Sequence, residues 1–82
     1  MKIDKNLLHA ICSVFDVEET SITLDMMLSE LDSYDSFKLV ELLMTLESDL
    51  NINFSSKEVD NIHKVSEINE ILTYKLHKWM LP

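Results

Sequence analysis

The sequence predicts an all-α fold, a four-helix bundle with a long first loop and a short third helix, and three observations carry that reading. Apolar residues recur at the 3.6-residue period in separated stretches. Residues of cap type stand where those stretches begin. No internal repeat, low-complexity tract or linker divides the chain, so residues 1–82 are expected to form a single domain.

In the first stretch, Leu7, Leu8, Ile11, Val14 and Phe15 share one helical stripe, which predicts a helix from about Asp4 to Phe15. From Asp16 to Asp35 the pattern loosens. Thr20, Ser21, Thr23, Ser29 and Ser33 interrupt it, and a long loop with short turns is expected there, anchored by Ile22, Leu24, Met27, Leu28 and Leu31. Asp35 has the type and position of an N-cap, so a second helix should run from about Ser36 to Leu50. Projected at 100° per residue, its apolar residues fall into two groups. Leu39, Leu43, Leu46 and Leu50 form a core stripe with Leu42 at its edge; Phe37, Val40 and Met44 form a second stripe flanked by Glu41 and Glu47. Phe37 is expected to be partly buried, as large aromatic residues usually are.

Further along, Ser55 and Glu58 have capping-box spacing for a short third helix ending near Ile62. Ser66 reads as the cap of a last helix lined by Ile68, Ile71, Leu72, Leu76 and Trp79, with Pro82 beyond its end and Trp79 and Met80 over the open end of the bundle. The chain contains no glycine. Turns that need positive φ must therefore use residues such as Ser33, Asn51 or Asn53, at some cost in strain.

Eighty-two residues, 46% of them apolar, fill one small core and no more. A lone Cys12 excludes an internal disulfide and reads as a small residue near the apolar stripe; no Cys/His cluster has zinc-ligand spacing. A reducing, cytoplasmic setting and a monomer are expected. No apolar run approaches transmembrane length. The net charge is −8, with fifteen acids, seven lysines and no arginine, which disfavours nucleic acid as a partner. Its distribution is uneven: twelve acids face two lysines between Asp16 and Asp60, whereas the two ends together hold three acids and five lysines. Any one carboxylate there is most simply a solubilising charge, but their concentration around Ser36 favours basic partners.

The junction Asp35-Ser36-Phe37 is the most informative feature for function. It places a serine hydroxyl in the first turn of a helix, near solvent, where unpaired amides and the helix dipole favour an attached negative group. Together with Val40, Glu41, Leu42, Met44, Leu46 and Glu47, the segment resembles the acyl carrier proteins, in which a D-S-L motif precedes a helix reading V-E-L-x-M-x-L-E. The resemblance runs from about Leu7 to Leu72 and is specific from Asp35 to Glu47. Ser33 also follows an aspartate, but that register puts Phe37 and Lys38 where valine and glutamate belong.

The resemblance implies a carrier that bears acyl or aminoacyl intermediates as thioesters on 4'-phosphopantetheine, attached from coenzyme A to Ser36 beside Asp35. It implies docking through Phe37, Val40, Glu41, Met44 and Glu47, and no catalytic residue. The implied partners are a phosphopantetheinyl transferase, an acyl- or aminoacyl-loading ligase and downstream synthase enzymes with basic docking patches. Departures from the pattern point to a specialised fatty-acid, polyketide or nonribosomal peptide pathway: Ser33 stands where a glycine is common, Phe37 where leucine is usual and Lys38 where an acid is common. A D-alanine carrier protein, where D-S-F also occurs, is an alternative, and so is an unmodified acidic helical adaptor. A serine hydrolase is disfavoured, since His9, His63 and His77 share no motif with Ser36 and no oxyanion loop is evident. Calcium binding from Asp32 to Leu43 is excluded by Phe37 and Leu43, which replace the glycine and glutamate an EF-hand requires.

Overall fold

The helices begin where side chains satisfy their first amides. The computed structural model describes residues 2–78, with side chains through residue 76. Within it lie α1 (Lys5–Phe15), 3₁₀ turns at Glu19–Ser21 and Leu28–Glu30, α2 (Ser36–Leu50), α3 (Ser56–Asp60) and α4 (Val65–Lys78). Asp4 caps α1, one of its carboxylate oxygens accepting from the amides of Asn6 at 2.9 Å and Leu7 at 3.2 Å. The capping box of α3 forms as expected: Ser55 Oγ accepts from the Glu58 amide at 3.2 Å, and Glu58 Oε1 accepts from the Ser55 amide at 2.8 Å. That helix stops at Asp60, two residues short of buried Ile62.

Left-handed residues close two of the helices. Asp16 follows α1 with φ 55°, Asn51 follows α2 with φ 55°, and Ser33 adopts φ 66° in the long loop. Ser33 and Asn51 fulfil the expectation set by the missing glycine; Asn53 does not take that role, and Asp16 takes it instead. Each short polar side chain accepts a conformation that costs an ordinary residue about 1–2 kcal/mol.

The core joins residues from every α-helix except α3, together with loop residues Ile22, Leu28, Leu31, Ile52 and Ile62. Leu7, Ile11, Leu42, Leu46, Ile68 and Leu72 are fully buried, each contributing about 1.5–3 kcal/mol. Leu42 lies at the centre of this core and not at the edge of a stripe, while Leu50 is only half-buried. Burial depends on position along the helix as well as on azimuth: Leu42 sits in the middle of α2 and Leu50 at its last turn. Trp79, Met80 and Pro82, and the side chain of His77, lie outside the described residues.

The long loop is fixed by backbone pairing. Leu28 N–H donates to His63 O at 2.9 Å, Val65 N–H to Met26 O at 3.2 Å and Ser66 N–H to Leu24 O at 2.9 Å, around an antiparallel bridge between Met27 and Lys64. This pairing corrects the expected start of the last helix. Ser66 is not its cap: α4 begins one residue earlier, and the Ser66 amide is committed to Leu24. Glu67 reaches back instead, one oxygen accepting from the amides of His63 and Lys64, both at 2.7 Å. One turn further along α4, buried Asn69 holds the N-terminal segment. Its Oδ1 accepts from Asp4 N–H at 2.8 Å and its Nδ2 donates to Lys2 O at 3.1 Å.

Two outcomes follow from this framework. Leu46→Ala should cost about 2–5 kcal/mol, because it opens a cavity in a core with little to spare; an unchanged melting curve would contradict the assigned core. The Glu67 carboxyl is held below its usual range by the His63 amide first and the Lys64 amide second. A depressed folded value means that its stabilisation is present above the unfolded carboxylate value and fades as pH falls through the folded one. Urea unfolding should therefore show Glu67→Gln less stable than the parent at pH 7, with the gap shrinking at about pH 3. A gap independent of pH would assign the effect to something other than the carboxylate charge.

Candidate functional site

The site is assembled at the passage from the long loop into α2. Leu31 is buried, and its carbonyl accepts from Tyr34 N–H at 3.2 Å across the turn that contains left-handed Ser33. Asp35 is extended, with φ −154° and ψ 174°, and one of its carboxylate oxygens accepts from Lys38 N–H at 2.7 Å. It is the N-cap the sequence indicated. Ser36 follows as the first residue of α2 and is exposed, and the other first-turn amides have no acceptor within the helix. A nucleophilic oxygen thus stands in solvent at the positive end of a 15-residue helix.

From Ser36, an apolar strip descends the outer face of α2. Phe37 is 80% exposed, Met44 61% and Val40 48%. Phe37 therefore corrects the expectation of partial burial: it points outward because Leu39, Leu42, Leu43 and Leu46 already occupy the face turned to the core. The strip lines an open groove of about 610 Å³ together with Glu41, Thr45, Ser48 and Asp49. Asp49 escaped the sequence reading, although it is eight residues beyond Glu41 and helical spacing sets the two on one flank. Glu47 behaves differently. It is half-buried, and its Oε2 accepts from Phe54 N–H at 2.9 Å, fastening the α2–α3 connection.

Lys38 also turns inward. Its Nζ donates to Val14 O at 3.0 Å and lies 6.0 Å from the centroid of the Phe15 ring, which stacks on Tyr34 at 6.2 Å and an interplanar angle of 12°. None of these three contacts was visible in the helical pattern. Cys12 is half-buried on α1; burial first, and the negative charge of Glu19 second, push its thiol up, which keeps it protonated and a poor nucleophile. Among the described residues no group of three His, Cys, Asp or Glu side chains is placed to hold a metal ion, and no helix is long and apolar enough to cross a membrane.

Comparison with known proteins agrees with this geometry. The family model described as "Phosphopantetheine attachment site" matches residues 5–72. The chain belongs to that family. It is also 31% identical over 70 residues to the acyl carrier protein of Buchnera aphidicola subsp. Baizongia pistaciae (strain Bp), an alignment covering 85% of this chain and 90% of the relative. The carrier resemblance, which runs from about Leu7 to Leu72, is thereby borne out, and the structure bears out the helical bundle. The protein is a carrier whose acyl cargo rides on a covalent 4'-phosphopantetheine arm.

The residues around Ser36 suit such an arm. The hydroxyl is exposed, the helix dipole favours the phosphodiester that would join it, and the neighbouring Asp35 carboxylate is turned to the Lys38 amide. When bound, the group supplies a thiol that holds cargo as a thioester. Because the Ser36 side chain lies outside the core, Ser36→Ala should change unfolding free energy by no more than about 0.5 kcal/mol. A large loss measured by denaturant titration would mean that the hydroxyl has a structural role.

Proposed function

We propose that Ser36 is the attachment residue and that the outer face of α2 receives the enzymes that load and use the arm. In the loading reaction the Ser36 Oγ–phosphorus bond forms at the β-phosphate of coenzyme A as the pyrophosphate P–O bond breaks. Adenosine 3',5'-bisphosphate leaves, and the hydroxyl proton passes to the transferase. The single observation that carries this reading is an exposed serine at the start of α2, capped by Asp35, directly beside an exposed apolar strip.

The chain itself contributes presentation and recognition. Carrier chemistry resides in the thiol of the arm and in the partner enzymes, so the protein acts as the bearer of a substrate and not as a catalyst. Glu41 and Asp49 border the groove and favour partners that bring lysine or arginine to it, while Phe37, Val40 and Met44 offer apolar contacts. The partners that fit are a phosphopantetheinyl transferase, an acyl- or aminoacyl-loading ligase and downstream synthase enzymes, with the carrier in the cytoplasm. Glu47 reinforces this surface by fixing the connection below it.

Incubation with coenzyme A and a broad-specificity phosphopantetheinyl transferase should add one phosphopantetheinyl group, mapped to Ser36 by peptide mass and absent in Ser36→Ala. No addition under conditions that modify a control carrier would leave an unmodified acidic adaptor as the better account. In the same assay Glu41→Lys should slow loading through weaker encounter, and the defect should shrink as salt is raised. Met44→Ala should raise KM through lost apolar contact. Glu70→Lys on α4 is the control, and an equal defect there would show that net charge alone governs recognition.

A further inference from the structure

Ser36 is bracketed by two residues seated on the same side chain. Tyr34, two positions before it, stacks on Phe15 at 6.2 Å, and Lys38, two positions after it, places its ammonium 6.0 Å from the same ring. The Lys38 ammonium also reaches the last turn of α1, donating to Val14 O at 3.0 Å. That turn contains no basic residue of its own. Lys38 therefore supplies from another helix the cation that a C-terminal turn favours, satisfying a carbonyl at the negative end of the dipole. Phe15 is buried and belongs to the core, so the anchor beneath both contacts is rigid.

The charge of Lys38 makes its placement informative. It is one of only two lysines between Asp16 and Asp60, and a positive charge beside Ser36 repels a basic enzyme. On electrostatics alone, removing it should speed loading. Its ammonium, however, is directed into the α1–α2 junction, where it closes a contact that Tyr34 closes from the loop side.

We infer that Lys38 is a positioning residue for modification of Ser36: with Tyr34 it clamps the loop-to-helix junction onto Phe15 and the end of α1, so that the serine hydroxyl is held in one place before an enzyme arrives. This rests on Ser36 being the attachment residue. Without the clamp the junction samples other arrangements, and apparent affinity falls by the fraction of time it spends in the competent one. The chemical step, which belongs to the transferase, is not affected.

Initial rates of phosphopantetheinylation of Lys38→Met, Lys38→Arg and Tyr34→Leu test the clamp. Methionine keeps an apolar stem without the charge. Lys38→Met should raise KM about three- to tenfold with kcat nearly unchanged, the deficit should persist at high salt, and Lys38→Arg should restore most of it. Amide exchange at residues 34–39 should quicken in Lys38→Met and in Tyr34→Leu, whereas exchange at Leu46 and Leu72 stays slow. Lys38→Met loading as fast as the parent, or faster, overturns the inference and leaves Lys38 as a surface charge. An unmodified parent chain overturns the Ser36 reading instead; in that case unchanged exchange at residues 34–39 in Lys38→Met separately overturns the clamp. Should Lys38→Met fail to fold, Tyr34→Leu decides by the same two readouts.

Discussion

The antiparallel pairing between Leu24–Leu28 and His63–Ser66 is the constraint on which the rest of the structure depends. Residues 16–35 join α1 to α2, and a loop of twenty residues carries many backbone groups and much conformational entropy. Three backbone hydrogen bonds fix it to the start of α4 and let Leu28 and Leu31 reach the core. Leu31 in turn holds the turn through Tyr34 that delivers Asp35 and Ser36. Glu67 secures the other side of the pairing by binding the amides of His63 and Lys64. The position of Ser36 is thus determined about thirty residues away in sequence, where α4 begins.

A thin core makes such polar anchors important. A domain of this size buries a modest share of its surface, and no disulfide or zinc site reinforces it among the described residues. Asn69 is the buried polar residue that compensates, satisfying Lys2 and Asp4 at once and coupling the N-terminus to α4. A buried amide with both ends bonded specifies an arrangement that an apolar residue of the same size would leave free. Lys75 contributes at the periphery, pairing with Glu58 at 3.2 Å and lying 6.0 Å from the Phe54 ring, so α3 is tied to α4 although it adds no fully buried residue.

The two faces of α2 show how one helix packs a core and presents an apolar strip to solvent. Four leucines face the core, while Phe37, Val40 and Met44 remain in solvent between carboxylates. Exposing three large apolar side chains in a row carries a cost in solubility, and the net charge of −8 offsets it. In the proposed docking role the same charge would raise the local concentration of basic partners, so one feature would serve both solubility and recruitment.

The sequence by itself determined the helices, their caps at Asp35 and Ser55, the apolar arc of α2 and the place of Ser36 in its first turn. These are local properties: periodicity, cap chemistry and a short motif are all read within one or two helical turns. Tertiary structure decided the rest. Ser66 lost its expected capping role because its amide pairs with Leu24, Phe37 stayed outside because the leucines filled the inward face, and Lys38 turned to α1 because an unpaired carbonyl waited there. Asn69 and Glu67 carry no signal in a helical pattern, since what they bind lies on other segments or on backbone that has no fixed place until the bundle closes. A hydrogen bond between distant segments depends on where the chain returns, and periodicity within one segment does not contain that information.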